Sequence, residues 1–178
     1  MDDGGTVDGS LFEGIARALQ PEGTFAEELR AIGFDVHAPK LRYPYSVMAA
    51  TLDVAHRHLY PDLSREDAHR RVGQRMVDTF FVTILGKVVR TLFQVLGPER
   101  FLARLPKLAS MGTTGLELRA ERPAPGEVRL FFRAKLLDAD FIAGAMEGLL
   151  RHSAEGTRVV IAPGGGPTAF ELRVTGLR

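Results

Sequence analysis

The side chains best equipped for chemistry in this chain are five imidazoles: His37, His56, His58, His69 and His152. Asp53 and His56 stand three apart on one predicted helix, and His69 lies on the next. By residue type, Asp53, His56 and His69 form a candidate metal set. Their spacing does not support it, because no HExxH-type pair is present and such residues also make an ordinary polar helix face. His56 and His58, two apart, point in different directions on a helix. No metal site is assigned. Ser10, Ser46, Ser64, Ser110 and Ser153 fall mostly where caps or turns are expected, and no G-x-S-x-G elbow surrounds any of them. The run Gly164 to Gly166 leads into a predicted strand, with no Lys and Ser/Thr opening a helix behind it, so it reads as a hairpin loop, not a phosphate cradle. Arg129 and Arg133 share one face of a strand and, with Arg119, Arg158 and Arg173, make a basic stripe balanced by Glu117 and Glu171. Cross-strand charge pairing accounts for that stripe better than an anion site does. No catalytic residue emerges. What remains is apolar: Met76, Phe80, Phe81, Phe132, Phe141 and Met146 are expected to converge between helices and sheet, as plain core or as the lining of a ligand pocket.

The elements that would bring these six together follow from periodicity. Ser64 to Gly97 is the longest helical stretch, opened by a capping-box-like Ser64 and Asp67 and closed by Gly97-Pro98. Its first apolar ladder is Val72, Met76, Val77, Phe80, Phe81 and Ile84; its second is Val88, Val89, Leu92, Phe93 and Leu96. Between them the apolar face turns by roughly 110°. One straight helix would bury Lys87, so a break is expected at Thr83 to Gly86, with Gly86 as pivot. Before this stretch, Leu11 to Leu19 repeats with helical spacing. Thr24, with Glu27, caps a second helix ending at Gly33, and residues 34 to 46 form an extended connector, with Ser46 a candidate cap for the helix from Val47 to Leu59. Pro98 starts a further helix that Pro106 bends or ends. From Leu116 the period is two: strand, Pro123 to Gly126 turn, strand. A helix capped by Asp138 or Asp140 runs to about Glu155-Gly156, and a second hairpin closes the chain, with Pro163 to Pro167 as its loop.

The reading is thus an α+β fold. An N-terminal layer of about five or six helices packs on a C-terminal antiparallel sheet of ββαββ order. Residues 1–9 are expected to be a disordered tail and residues 10–178 one globular domain, helical over 10–111 and ββαββ over 112–178. The 178 residues, 45% hydrophobic and 25% charged, are enough for one substantial core. A net charge of +1 offers no reason to expect a nucleic-acid partner. The chain has no cysteine, which excludes disulfides, thiolate metal sites and cysteine nucleophiles. The acidic, glycine-rich start lacks the charge and apolar run of a secretory signal, so the expected location is the cytoplasm. Asp78, Lys87, Arg90 and Gln94 interrupt the only window long enough for a membrane span.

The segments TLDVAHRHLYPDLSREDAHRRVGQ, TFFVTILGK and VLGPERFLARLP, followed by the closing ββαββ, resemble a family of small uncharacterised myxobacterial proteins. The last part, with DFIAGAMEGLL between hairpins, is similar to the 4-vinyl-reductase-type domain, the haem nitric-oxide/oxygen-binding domain and the TRAPP trafficking subunits. The resemblance implies a helical layer on a four- to five-stranded antiparallel sheet, often with an apolar cavity between them. In the haem-binding relatives it also implies an axial histidine and a Tyr-x-Ser-x-Arg motif. The nearest string here, Tyr43-Pro44-Tyr45-Ser46-Val47, has the wrong spacing and no arginine. No cofactor is therefore expected, haem included. The function read from all this is a non-enzymatic cytoplasmic regulatory or sensory domain taking a small apolar or amphipathic ligand. The alternative is a protein-interaction or self-association module, a homodimer or an adaptor, with no small-molecule ligand.

Overall fold

The computed structural model describes residues 5–151, 156–166 and 168–177. The first element is a short strand, β1 (Thr6–Asp8), whose last residue caps helix α1 (Gly9–Leu19) by accepting a hydrogen bond from the Ser10 N–H. This corrects the disordered tail expected over residues 1–9, of which 1–4 lie outside the described residues. From Thr6 the backbone is paired with β2 (Arg42–Pro44), a strand inside the expected connector, in the register Thr6↔Pro44. A two-stranded ladder is marginal alone; here Val7 and Tyr43 face each other at 2% and 0% exposure, so core burial holds the pair. Between the two strands, helix α2 (Gly23–Ala31) starts before Thr24 and has no side-chain cap, correcting the box expected there, although Gly33 does follow its end with φ of +98°. Helix α3 (Tyr45–Leu59) begins directly after Pro44, one residue ahead of the expected Ser46 cap.

The long apolar stretch is two helices. In α4 (Arg65–Phe80) Ser64 accepts from the Asp67 N–H, and in α5 (Ile84–Leu96) Thr83 accepts from the Gly86 N–H. The break lies at Phe81–Thr83, ahead of the expected pivot. Gly86 has another job: a Cβ there would sit 1.8 Å from the Phe80 carbonyl oxygen, so glycine lets the start of α5 fold back on the end of α4. The same break turns Ile84, expected in the first buried ladder, to 87% exposure. Helix α6 (Pro98–Gly112) continues through Pro106, so of the two outcomes expected there, a bend or an end, the helix does not end. Burial of Phe101 and Leu102, at 1% and 0% exposure, holds the segment despite the N–H that proline lacks.

The remaining strands are β3 (Glu117–Ala124) and β4 (Glu127–Arg133), then β5 (Arg158–Ile161) and β6 (Ala169–Thr175), with helix α7 (Ala139–Leu150) between the pairs. They form an antiparallel sheet in the order β3-β4-β6-β5. The α+β class, with helices first and sheet last, is as expected. Asp138, of the two aspartates considered, caps α7, which ends at Leu150; the stretch 152–155, where its end was expected, lies outside the described residues, as does Pro167 of the second hairpin loop. Alternation gives the sheet one apolar face. Leu130 pairs with Leu172, Phe132 with Phe170 and Val128 with Val174, all buried and all part of the core that α6 and α7 cover. Helix α7 lies unusually close to α4. A Cβ at Gly73 would be 2.2 Å from the Phe141 carbonyl oxygen, and one at Gly144 would be 2.0 Å from that of Arg70.

Candidate ligand chamber

The close α4–α7 pairing fixes the back of a chamber of about 310 Å³. Met76, Val77 and Phe80 reach it from α4, Phe141, Ile142 and Met146 from α7, and Phe132 from the sheet. Val89 and Leu92 of α5 and Leu105 and Leu108 of α6 close the opposite wall, and Leu11 of α1 contributes a further part. All six residues singled out in the sequence, Met76, Phe80, Phe81, Phe132, Phe141 and Met146, therefore line one space. The lining is otherwise apolar, with Asp8, Ser10 and Thr113 as its polar members. Such a surface binds by water exclusion and shape, and contains no nucleophile paired with a base.

Reading the sequence did not single out the contributions of α1 and α6 to this space. Leu11, Leu105 and Leu108 were visible as apolar helix positions, but periodicity gives the direction of a face and not the element it meets. Asp8 fell in the expected tail. The signal that could have found it is Asp-Gly-Ser just ahead of the Leu11 periodicity, an N-cap pattern.

The histidines lie elsewhere. His69 is fully buried; its Nδ1 is 2.8 Å from Asp138 Oδ2 and its Nε2 is 3.4 Å from Asp53 Oδ1, while Arg65 reaches both aspartates at 2.9 and 3.4 Å. His56 crosses the His69 ring edge-on at 6.4 Å and meets the Leu63 carbonyl through Nε2. The candidate set Asp53, His56 and His69 thus does meet in space, yet among the described residues no group of three or more His, Cys, Asp or Glu is arranged to hold a metal ion. What the geometry provides is an ion-paired clasp between α3, α4 and the start of α7. His58 stacks on Phe25 and pairs with Glu28 at 3.1 Å. His152 and Ser153 lie outside the described residues.

On the outer sheet face a second groove of about 410 Å³, no more open to solvent than the chamber, runs past Glu117, Arg119, Arg133 and Glu171. Its charges are shared within the sheet: Arg133 with Glu117 at 3.9 Å, Arg173 with Glu171 at 2.8 Å, and Arg119 over the Phe131 ring at 5.3 Å. Arg129, the other half of the expected basic pair, binds Glu127 at 3.0 Å.

A family model described as "Protein of unknown function (DUF2378)" matches residues 3–175. The chain belongs to this family. No curated protein matches it. Among solved structures, it is similar to one described as modulating haem redox potential through protein-induced porphyrin distortion, at 17% identity and TM-score 0.66 over 94% of this chain and 99% of that one. A mutant of the T. Tengcongensis H-NOX protein is 17% identical, with TM-score 0.62 over 93% and 94% of the two chains. An oxygen-binding H-NOX domain related to soluble guanylate cyclases, in its oxygen complex, is 16% identical, with TM-score 0.64 over 94% of each chain. At these identities the likeness is one of fold, and this DUF2378 member has the H-NOX fold.

That finding corrects the expectation of no haem. The expectation rested on a missing Tyr-x-Ser-x-Arg string, whereas the fold is one whose solved examples include a structure concerned with haem and porphyrin distortion. A missing string cannot exclude the group from such a fold. The residues present nonetheless do not fit the mode of attachment that the resemblance implied. Tyr43 and Tyr45 are core residues at 0% and 1% exposure and are not part of the chamber wall, and the described lining includes no histidine, arginine or lysine. Its soft donors are the thioethers of Met76 and Met146. Among the described residues, no helix is long and apolar enough to cross a membrane.

Proposed function

We propose that this chain is a non-enzymatic cytoplasmic regulatory or sensory domain, working as one unit over residues 10–178, whose chamber takes a small apolar or amphipathic molecule between helices and sheet. The observation that carries the reading is the chamber itself: about 310 Å³, walled by α4, α5, α6, α7 and the sheet, and nearly free of polar groups. A partly open apolar cleft of this size at the junction of two layers is the usual setting of a small-molecule site. The likeness to an oxygen-binding H-NOX domain related to soluble guanylate cyclases supports a sensory role. Met76, Phe80, Phe81, Phe132, Phe141 and Met146 are the proposed contacts. The myxobacterial kinship and the likeness to 4-vinyl-reductase and TRAPP subunits belong to the same proposal.

The test is native mass spectrometry of the purified chain for a retained small molecule, joined to titration with the uncharged apolar dye Nile red and with haemin. Retained mass or saturable dye fluorescence at one site supports the reading. A bound haemin with a Soret band would make haem the occupant. A chain that retains nothing and binds neither probe sinks the proposal.

A second reading, self-association or an adaptor role without a ligand, is favoured by a different observation. Ile84 and Val95 of α5 are 87% and 77% exposed on one side of that helix. A dimer mass that persists at low micromolar concentration, with no dye binding, would select it.

A further inference from the structure

Helix α5 exposes aliphatic and cationic side chains next to one another. Ile84, Val88 and Val95 are each more than half exposed. At 3.6 residues per turn they fall within about 40° of one another, so they make one strip along the helix. Val88 also lines the chamber, which places the strip at the chamber's edge. Lys87, Arg90, Thr91 and Gln94, all exposed, fill the sector beside the strip, and α5 contains no acidic residue. We propose that α5, with α6 beside it, docks this domain on the surface of an anionic lipid bilayer, whatever the chamber holds.

Charge is what selects this occupant. Residues 82–112 carry five cations, Lys87, Arg90, Arg100, Arg104 and Lys107, against one carboxylate, Glu99, which pairs with Arg122. The segment is therefore +4 in a chain of net charge +1, and the rest of the chain is −3. Arg100, Arg104 and Lys107, spaced i, i+4 and i+7, form an exposed ridge along α6. Leu105 and Leu108 turn the other side of α6 to the chamber, as Val89 and Leu92 do in α5, so both basic sides lie on the outside of the wall the two helices share. Among the described residues Lys87, Arg90, Arg104 and Lys107 have no carboxylate partner, whereas Arg17 pairs with Glu13, Arg30 with Asp35 and Arg57 with Glu28. Unpaired cations beside an exposed aliphatic strip match a surface that sets many negative charges over an apolar interior. A nucleic acid would leave the strip in water, and a second copy meeting it strip to strip would bring like charges together.

The test sediments the full chain with vesicles of phosphatidylcholine alone and of phosphatidylcholine with about 30% phosphatidylserine. Binding is expected to the anionic vesicles only, and to be released by salt. A Lys or Arg near such a surface contributes roughly fivefold in affinity, so Lys87→Gln with Arg90→Gln should weaken binding at least about tenfold. Ile84→Gln with Val95→Gln, which keeps helix propensity and removes the aliphatic surface, should weaken it by about as much. Arg30→Gln with Arg57→Gln, the same change of charge at paired positions, should leave it within about twofold. These positions are exposed, so the dichroism melts should match the wild type. Should an α5 pair fold poorly, Arg104→Gln with Lys107→Gln on α6 decides in its place. No sedimentation with anionic vesicles, equal sedimentation with neutral ones, or binding indifferent to either α5 pair would overturn the proposal. Two further results would overturn it by naming another occupant. Soluble polyglutamate bound as tightly as the vesicles would make this a site for an acidic polypeptide. A dimer mass abolished by Ile84→Gln with Val95→Gln, in a chain that ignores vesicles, would assign the strip to a second copy. Nile red bound in the chamber without vesicle binding sinks this inference alone.

Discussion

Asp138 shows how much one side chain organises. It caps α7 through the Phe141 N–H at 2.8 Å and at the same time holds the buried His69 ring. Burial by itself pushes its carboxyl up. The hydrogen bonds from His69 and the Phe141 N–H, with the attraction of His69 and Arg65, outweigh burial and hold it below the ordinary aspartate range. A folded value below the unfolded one means that the native chain binds this proton less readily. The resulting stability is fully present above the unfolded value of about 3.9 and is lost as pH falls through the folded value. Denaturant melts taken from pH 6 down to pH 2 should therefore show an acid-sensitive component that Asp138→Asn removes, since asparagine keeps the cap without the charge. Asp138→Ala, losing the cap and leaving His69 with a missing partner, should cost about 2–4 kcal/mol at neutral pH. An alanine variant as stable as the wild-type chain would show that cap and clasp together contribute nothing. The three-residue spacing of Asp53 and His56 was legible in the sequence. That Asp138, some seventy positions past His69, completes the cluster was not, because local periodicity contains no long-range contact.

At the scale of elements, the α4–α7 contact stands on the absence of side chains. With a would-be Cβ at 2.0 to 2.2 Å from a facing carbonyl oxygen, neither Gly73 nor Gly144 can gain a methyl group without the helices moving apart. Gly144→Ala should destabilise the chain by about 2–4 kcal/mol, seen as a fall in melting temperature of roughly 5–15 °C for a chain of this length. An unchanged melt would mean that the helices have room the geometry denies. Helix α5 is the opposite case. It leans on α6 and α1, leaves Ile84, Val88 and Val95 largely to solvent, and forms one wall of the chamber. Few buried contacts imply low local stability, so its amides should exchange with deuterium well before those of α4, and a chamber ligand should slow them. Exchange in α5 as slow as in α4 would count against a mobile wall.

Across the whole molecule, the chamber is a space between elements that no single one of them possesses. Ala109 lines it from α6 without being deeply buried. Ala109→Phe should therefore fill the space with little loss of stability and reduce Nile red binding at least about tenfold, as followed by fluorescence titration beside a thermal melt. Retention of full dye binding would place the dye elsewhere. How much of this was legible beforehand depended on the range of the force involved. Helix and strand periods, the Ser64 and Asp138 caps and the alternation of the closing hairpins are written in neighbouring residues, because amphipathic faces and capping bonds act over a few positions. The α+β order followed from them. The pairing of β1 with β2 and the passage of α6 through Pro106 were decided only in three dimensions. There, burial of Val7, Tyr43, Phe101 and Leu102 outweighed weak local preferences. A cavity is the extreme example: it is defined by where side chains from distant segments stop, and no stretch of sequence encodes a gap.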